Sequence, residues 1–292
     1  YEGEEKGMKS KKWTLLATSL TAMVLLAACA QSTTTSNTNA TTNSATTTAT
    51  KTNQSSYFTE KDNDTSYDES TASKIELSGS SANVSGDGVT VSESTVTITK
   101  SGTYVISGQS DGVQIKIEAD KSADVHLVLK GATMTNTNAA ISATSAGHVY
   151  LTLAEGTTNS LSDSSSNSDE KADAALFSKV DLTINGKGTL NVDGKKNNGI
   201  KANDTLHITG GTYNITAVGD AFNVNDELNI TGTTMTIDAK DDGVNAANKN
   251  AQQNEIFFTM NGGNLTVEVG QGDTDPIDSN GNITVTGGTI KM

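Results

Sequence analysis

Arginine is absent from this chain: all 20 basic residues are lysine, set against 34 acids for a formal net charge of −14. A chain of that sign has no basic face for phosphate neutralisation, which argues against a nucleic-acid partner. Without a guanidinium there is no bidentate fork for phosphate or carboxylate either. The single cysteine excludes an intrachain disulfide framework and a thiolate zinc cage. His126, His148 and His207 are scattered, which speaks against a histidine metal cluster. Aromatics are 4% and proline occurs once, so a core has to be built from Ile, Val and Leu in thin layers.

Long apolar runs are missing too, with one exception. Met8-Lys9-Ser10-Lys11-Lys12 is a basic start, and Trp13 to Ala28 is an apolar stretch too short for a comfortable membrane span. Residues 8–28 read as a secretory signal. Leu26-Ala27-Ala28-Cys29 resembles the lipobox of bacterial lipoproteins, which implies lipidation of Cys29 and anchorage at the extracellular face of the cell membrane. Residues 1–7 precede a complete signal and read as upstream read-through. Residues 29–72, dominated up to Ser56 by Thr, Ser, Asn and Ala, cannot bury enough surface to offset their ordering entropy and read as a disordered linker. Loss of residues 1–28 removes four lysines and three acids, moving the net charge from −14 to −15.

From residue 73 to 292 short alternating runs such as Val113-Gln-Ile115-Lys-Ile117 and Leu182-Thr-Ile184 predict half-buried strands between Gly, Asn and Asp turns. Three segments superpose at an offset of 22: Asn198-Gly-Ile-Lys-Ala-Asn-Asp204, Asp220-Ala-Phe-Asn-Val-Asn-Asp226 and Asp242-Gly-Val-Asn-Ala-Ala-Asn248. Leu206-His-Ile-Thr-Gly210 falls likewise on Leu228-Asn-Ile-Thr-Gly232. Such a period, with two or three strands per copy, predicts an all-β right-handed parallel β-helix with about 22 residues per coil. A β-sandwich and a leucine-rich repeat are the competitors, and neither carries this pattern. Solenoids need capped ends, and the last copy stops at Met292 in mid-repeat, so the natural domain is expected to continue further.

Stacking places like residues in rows. Asn203 and Asn225 read as a structural asparagine ladder. The acidic row is Asp220 on Asp242, with Asp241 beside it and Asp273, Asp275 and Asp278 following. Carboxylates about 4.8 Å apart repel by roughly 3 kcal/mol at an effective dielectric near 20, so either water or a cation separates them. Calcium, with oxygens at about 2.3–2.6 Å, suits that spacing, and a solvated Asp-Gly turn is the alternative. Lys201, Asn223 and Asn245 lie alongside as candidate ligand-binding residues.

Gly102-Thr-Tyr-Val-Ile-Ser-Gly108, Val125-His-Leu-Val-Leu-Lys-Gly131, Leu153-Ala-Glu-Gly-Thr-Thr-Asn159 and Leu182-Thr-Ile-Asn-Gly-Lys-Gly-Thr-Leu190, with the repeated Asp-Gly-Ile-like corners, resemble the bacterial carbohydrate-binding-domain proteins. The type member of that family is a calcium-dependent pectin- and cellulose-binding right-handed β-helix, similar in fold to pectate lyases. The corners Asn198-Gly-Ile, Asp220-Ala-Phe and Asp275-Pro-Ile depart from the family pattern, and Asp242-Gly-Val is close to it. The resemblance implies a monomeric, non-catalytic surface lipoprotein that binds extracellular or cell-wall polysaccharide, such as polygalacturonate, with calcium bridging carboxylates on both sides. A pectate-lyase-like enzyme would instead need a base, for which Lys195, Lys196, Lys201 and Lys240 are the candidates. A structural or adhesive rod is the third reading.

Overall fold

The computed structural model describes residues 57–252 and 255–292; the signal, the lipobox with Cys29 and the linker up to residue 56 lie outside them. The described chain is all-β apart from one short 3-10 turn, Lys61–Asn63. In chain order the strands begin with β1 (Ser73–Gly79), β2 (Ser81–Ser85), β3 (Val89–Ser92), β4 (Thr95–Ile98), β5 (Gly102–Asp111), β6 (Gln114–Glu118), β7 (Asp124–Thr135) and β8 (Ile141–Ser145). They continue with β9 (His148–Leu153), β10 (Thr158–Ser162), β11 (Ala174–Ser178), β12 (Leu182–Gly186), β13 (Thr189–Gly194), β14 (Asn198–Ala202), β15 (Leu206–Thr209) and β16 (Thr212–Ala217). The last are β17 (Phe222–Val224), β18 (Glu227–Thr231), β19 (Thr233–Ala239), β20 (Val244–Ala246), β21 (Phe257–Glu268), β22 (Asp278–Ser279) and β23 (Asn282–Lys291).

The right-handed parallel β-helix that the repeat predicts is not the architecture formed, because the largest sheet closes on itself. Pairing runs from β7 through β9, β12, β15 and β18 to β21, then through β19, β16, β13 and β10 back to β7, and every one of these pairs is parallel. The result is a closed 10-strand parallel β-barrel in place of an open solenoid. Closure depends on the two 12-residue strands, each of which pairs with three others, two of them within the ring. Phe257–Met260 of β21 pair with β18, and Gly263–Glu268 pair with β19. Likewise β7 pairs with β9 through Asp124–Leu129 and with β10 through Thr133–Thr135. A repeat period specifies which segments are neighbours but not how long a strand runs, so closure leaves no trace in it. Strands one repeat apart do lie side by side, Leu206 beside Leu228 and Ile215 beside Ile237.

A second sheet, in the order β22-β20-β17-β14-β11-β8-β6-β4-β3, shares one hydrophobic core with the first. Ile200 and Phe222 from it, and Ile208, Tyr213 and Ile230 from the barrel strands, are wholly or almost wholly buried. Each such side chain contributes about 1.5–3 kcal/mol on burial. Alternation is clean where one face meets water, as in β19, whose residues are buried and exposed in turn. Between β12 and β13 the chain bends at Gly186, where φ is +104° and a Cβ would sit 2.3 Å from the Leu153 carbonyl oxygen. Only glycine fits there.

In β12 all five residues are buried, including the outward Thr183 and Asn185. The cover is the segment from Tyr57 to Tyr67, which falls in the stretch read as linker. It is laid across the outer face of the sheet by its aromatic and acidic side chains, a strap that the Thr- and Ser-rich composition before it does not announce. Among the described residues no helix is long and apolar enough to cross a membrane.

Candidate functional site

The acidic corner forms where the turns before β17 and β20 stack. Asp220, Asp241 and Asp242 offer carboxylate oxygens that all lie within 4.8 Å of one another. Asp220 and Asp242 are buried and Asp241 is exposed. Asp220 Oδ1 accepts from the Asp242 backbone N–H at 3.2 Å, and its Oδ2 accepts from Asn223 Nδ2 at 2.7 Å. Asp242 repeats the arrangement, with Oδ1 accepting from the Asp275 N–H at 2.8 Å and Oδ2 from Asn245 Nδ2 at 3.2 Å. These carboxylates therefore pin each turn to the next, a structural task that needs no ion. Burial pushes the Asp220 carboxyl above its ordinary range despite the two donors, helped by the charges of Asp241 and Asp278. Asp242 moves the same way, through burial first and then the charges of Asp220, Asp241 and Asp278.

Asp273, Asp275 and Asp278 separate from this group. Asp273 and Asp275 are exposed, and Asp275 meets the corner through its backbone. Asp278 pairs with Asn245 and acts on the corner by charge alone. Lys201, Asn223, Asn245 and Asp278 stand in one row across β14, β17, β20 and β22. Lys201 is engaged by Asp173 in an ion pair whose side chains are 17% and 14% exposed, and Asn223 and Asn245 are donors to the corner carboxylates. Asn223 and Asn245 thus join the middle of the row to the corner.

A second polar centre lies around the three histidines. Thr183 Oγ1 donates to Asp62 Oδ1 at 2.6 Å, so it must accept from His148 Nε2, 2.8 Å away. Thr152 Oγ1 donates to Asn185 at 2.6 Å and so accepts from His126 Nε2, also at 2.8 Å. Asn185 Nδ2 then donates to the Asp62 and Asp64 carbonyls at 3.1 and 3.0 Å. His207 Nδ1 faces Asp62 Oδ2 at 3.3 Å, and Phe58 meets the same ring edge-on at 5.4 Å. All three histidines thus converge on the strap. Burial alone would raise the Asp62 carboxyl, but the facing His207 ring and the donors Thr183 and Thr59 outweigh it and hold the group well below the carboxylate range. Burial lowers His126 and His148, which keeps them neutral around pH 7.

Sequence reasoning missed this centre. A usable signal existed in the copy Leu206-His-Ile-Thr-Gly210, where a histidine replaces the asparagine of Leu228-Asn-Ile-Thr-Gly232 in an outward row. Tyr57 and Phe58, two aromatics at the end of an otherwise small and polar tract, were another.

A family model described as carbohydrate-binding domain-containing protein matches residues 92–292. A curated relative with that same description, from Acetivibrio thermocellus, is 33% identical over 124 residues, 40% of this chain. The match spans 43% of that relative's length. Among solved structures, the polysaccharide lyase-like protein from C. thermocellum, described as a gadolinium derivative, is similar at a TM-score of 0.65 and 30% identity, covering 75% of this chain and 94% of its own.

Proposed function

The chain belongs to the family of carbohydrate-binding domain-containing proteins, and on that premise we propose that it binds polysaccharide at the extracellular face of the membrane without reacting with it. The family match over residues 92–292, which contains the whole acidic corner, is the observation that carries this reading. Calcium is the cofactor that the corner suits. Oxygens on opposite sides of that ion lie about 4.8 Å apart, and each carboxylate oxygen already accepting one hydrogen bond keeps a lone pair for a metal. Asp220, Asp241 and Asp242 would hold the ion. An acidic protein could then take an acidic glycan such as polygalacturonate, because the cation relieves repulsion on both sides.

The polysaccharide lyase-like description of the solved relative favours a second reading, a lyase. Of the four lysines it would need, Lys201 is held by Asp173 in a part-buried ion pair, Lys195 and Lys240 face Asp193 and Asp238 in exposed pairs, and none is buried beside the acidic corner in a way that would make it a base. Two measurements separate the readings. Calorimetric titration of calcium into the full chain should give a single class of site that Asp220→Asn weakens at least tenfold, and retention of polygalacturonate should disappear in chelator. Undiminished retention in chelator would overturn the calcium bridge. Ultraviolet-absorbing unsaturated product would overturn the non-catalytic reading.

A further inference from the structure

The strap does more than cover the sheet: together with the strand ends beneath it, it encloses a groove of about 480 Å³, well inside the ~300–1,000 Å³ span of small-molecule sites. Its floor is a straight row. His148, Asp181, Thr205, Glu227 and Phe257 each immediately precede one of the paired residues Val149, Leu182, Leu206, Leu228 and Phe258, so they follow one another across five parallel strands. Successive members are about 4.8 Å apart, close to the length of one hexose unit.

The row has aromatic rings at each end and carboxylates between. At one end His148 stacks on Tyr150 with ring centroids 4.1 Å apart and 12° between planes, and the Lys61 ammonium lies over the Tyr150 ring 4.6 Å from its centroid, so this end is already packed. At the other, Tyr57 of the strap faces Phe257 at 5.8 Å. Tyr57 and Phe257 offer flat apolar faces to the C–H face of a sugar. Between them the Glu227 carboxyl is pushed up by burial, and the wholly buried Asn229 donates to it at 3.3 Å, fixing its direction.

A second hollow of about 410 Å³ shares Thr205 and Glu227 with this groove and adds Asp204, Asp226 and Glu255. Among the residues lining the two hollows there is no lysine, the chain has no arginine, and Lys61, whose ammonium lies over Tyr150, is paired with Asp124. A uronate polymer would be repelled along the whole trough, while a neutral sugar would leave the part-buried carboxylates without a counter-charge. A sugar bearing a free ammonium satisfies both the platforms and the acids.

We propose that this trough is a metal-independent binding site for glycans of free hexosamines, with Tyr57 and Phe257 as stacking faces and Asp181 and Glu227 as ammonium acceptors. The inference rests on the carbohydrate-binding reading but not on the acidic corner, which it leaves to calcium. The test is calorimetry on the full chain in chelator, with oligomers of glucosamine, their N-acetylated counterparts, oligogalacturonate and oligolysine as probes. The expected result is binding of the glucosamine oligomers at least tenfold more tightly than the N-acetylated ones, falling with ionic strength. Glu227→Gln and Tyr57→Ala should each weaken it about tenfold or more, with unfolding transitions checked to show that the variants remain folded. Equal affinity for acetylated oligomers, or for oligolysine, would overturn the hexosamine assignment. Silence of the glucosamine oligomers alongside calcium-dependent retention of oligogalacturonate would overturn the trough and leave the carbohydrate reading standing. Silence of every glycan with and without calcium would overturn both.

Discussion

Asp62 under the strap and Asp220 at the corner are both buried carboxylates, yet their environments drive them in opposite directions. Asp220 has two donors, one of them a neighbouring amide, and the negative charges of Asp241 and Asp278 nearby, so burial wins and its proton affinity rises. Asp62 accepts from Thr59 and Thr183 and faces the His207 ring, and these outweigh a comparable burial. The corner is therefore a place where negative charge has accumulated without compensation, ready for a cation or a proton. The strap anchor is finished, with its charge already answered by the protein.

The largest expected effect follows from that completeness. Asp62→Ala removes the acceptor for Thr183 and the charge facing His207, leaving buried polar groups unanswered at about 1–3 kcal/mol each. We expect a loss of about 3 kcal/mol, or roughly 6–12 °C in melting temperature for a domain of this size. Asp220→Ala should cost clearly less, because it also removes a carboxylate that burial and the charges of Asp241 and Asp278 disfavour. Denaturant unfolding of the two variants side by side checks the ranking, and the opposite order would break the contrast between a completed and an uncompleted site.

Acid should separate the two regions next. The folded values of His126 and His148 lie below the ordinary 6.5, so the unfolded chain takes up protons first as pH falls. Their contribution is present above about pH 6.5 and is lost below it. Asp62 adds a second loss, beginning below the ordinary carboxylate value of 3.8. The corner has the reverse sign: with Asp220 and Asp242 raised, the folded state binds protons more tightly, so its contribution is present in acid and is lost as pH rises past 3.8 through the raised values. Hydrogen-exchange protection at residues 57–68 should therefore drop between pH 7 and pH 5, while protection at residues 220–242 holds or grows. Equal loss at both would remove the distinction.

The corner was legible in the sequence because it repeats: the same turn chemistry recurs at an offset of 22, and Asp220, Asp242, Asn223 and Asn245 fall where repetition puts them. Asp273 and Asp275 failed to join because the copy that carries them departs from the period, and a residue that sits at the same corner by count can still point its carboxylate elsewhere. Barrel closure was illegible for a related reason, since it depends on two long strands that occur once each. The strap was illegible because nothing in it repeats. Its fixed position depends on Asp62 meeting Thr183 and Thr209, partners 121 and 147 residues away, and a pairing of that range leaves no local pattern to read.

The smallest expected effect is the most specific. Asp241 is exposed, yet its charge raises both Asp220 and Asp242. Asp241→Asn keeps the shape of the turn and removes one like charge, so the metal-free domain should gain slightly, on the order of 1 °C at neutral pH. In calcium the sign should reverse, because the variant supplies one charged ligand fewer and loses part of the stabilisation that the ion gives the wild type. Thermal melts of both proteins with calcium and with chelator give four numbers, and the crossing of the two pairs is the prediction. A variant that melts above the wild type under both conditions would mean that Asp241 only repels, and that the corner works as a turn without serving as a cation site.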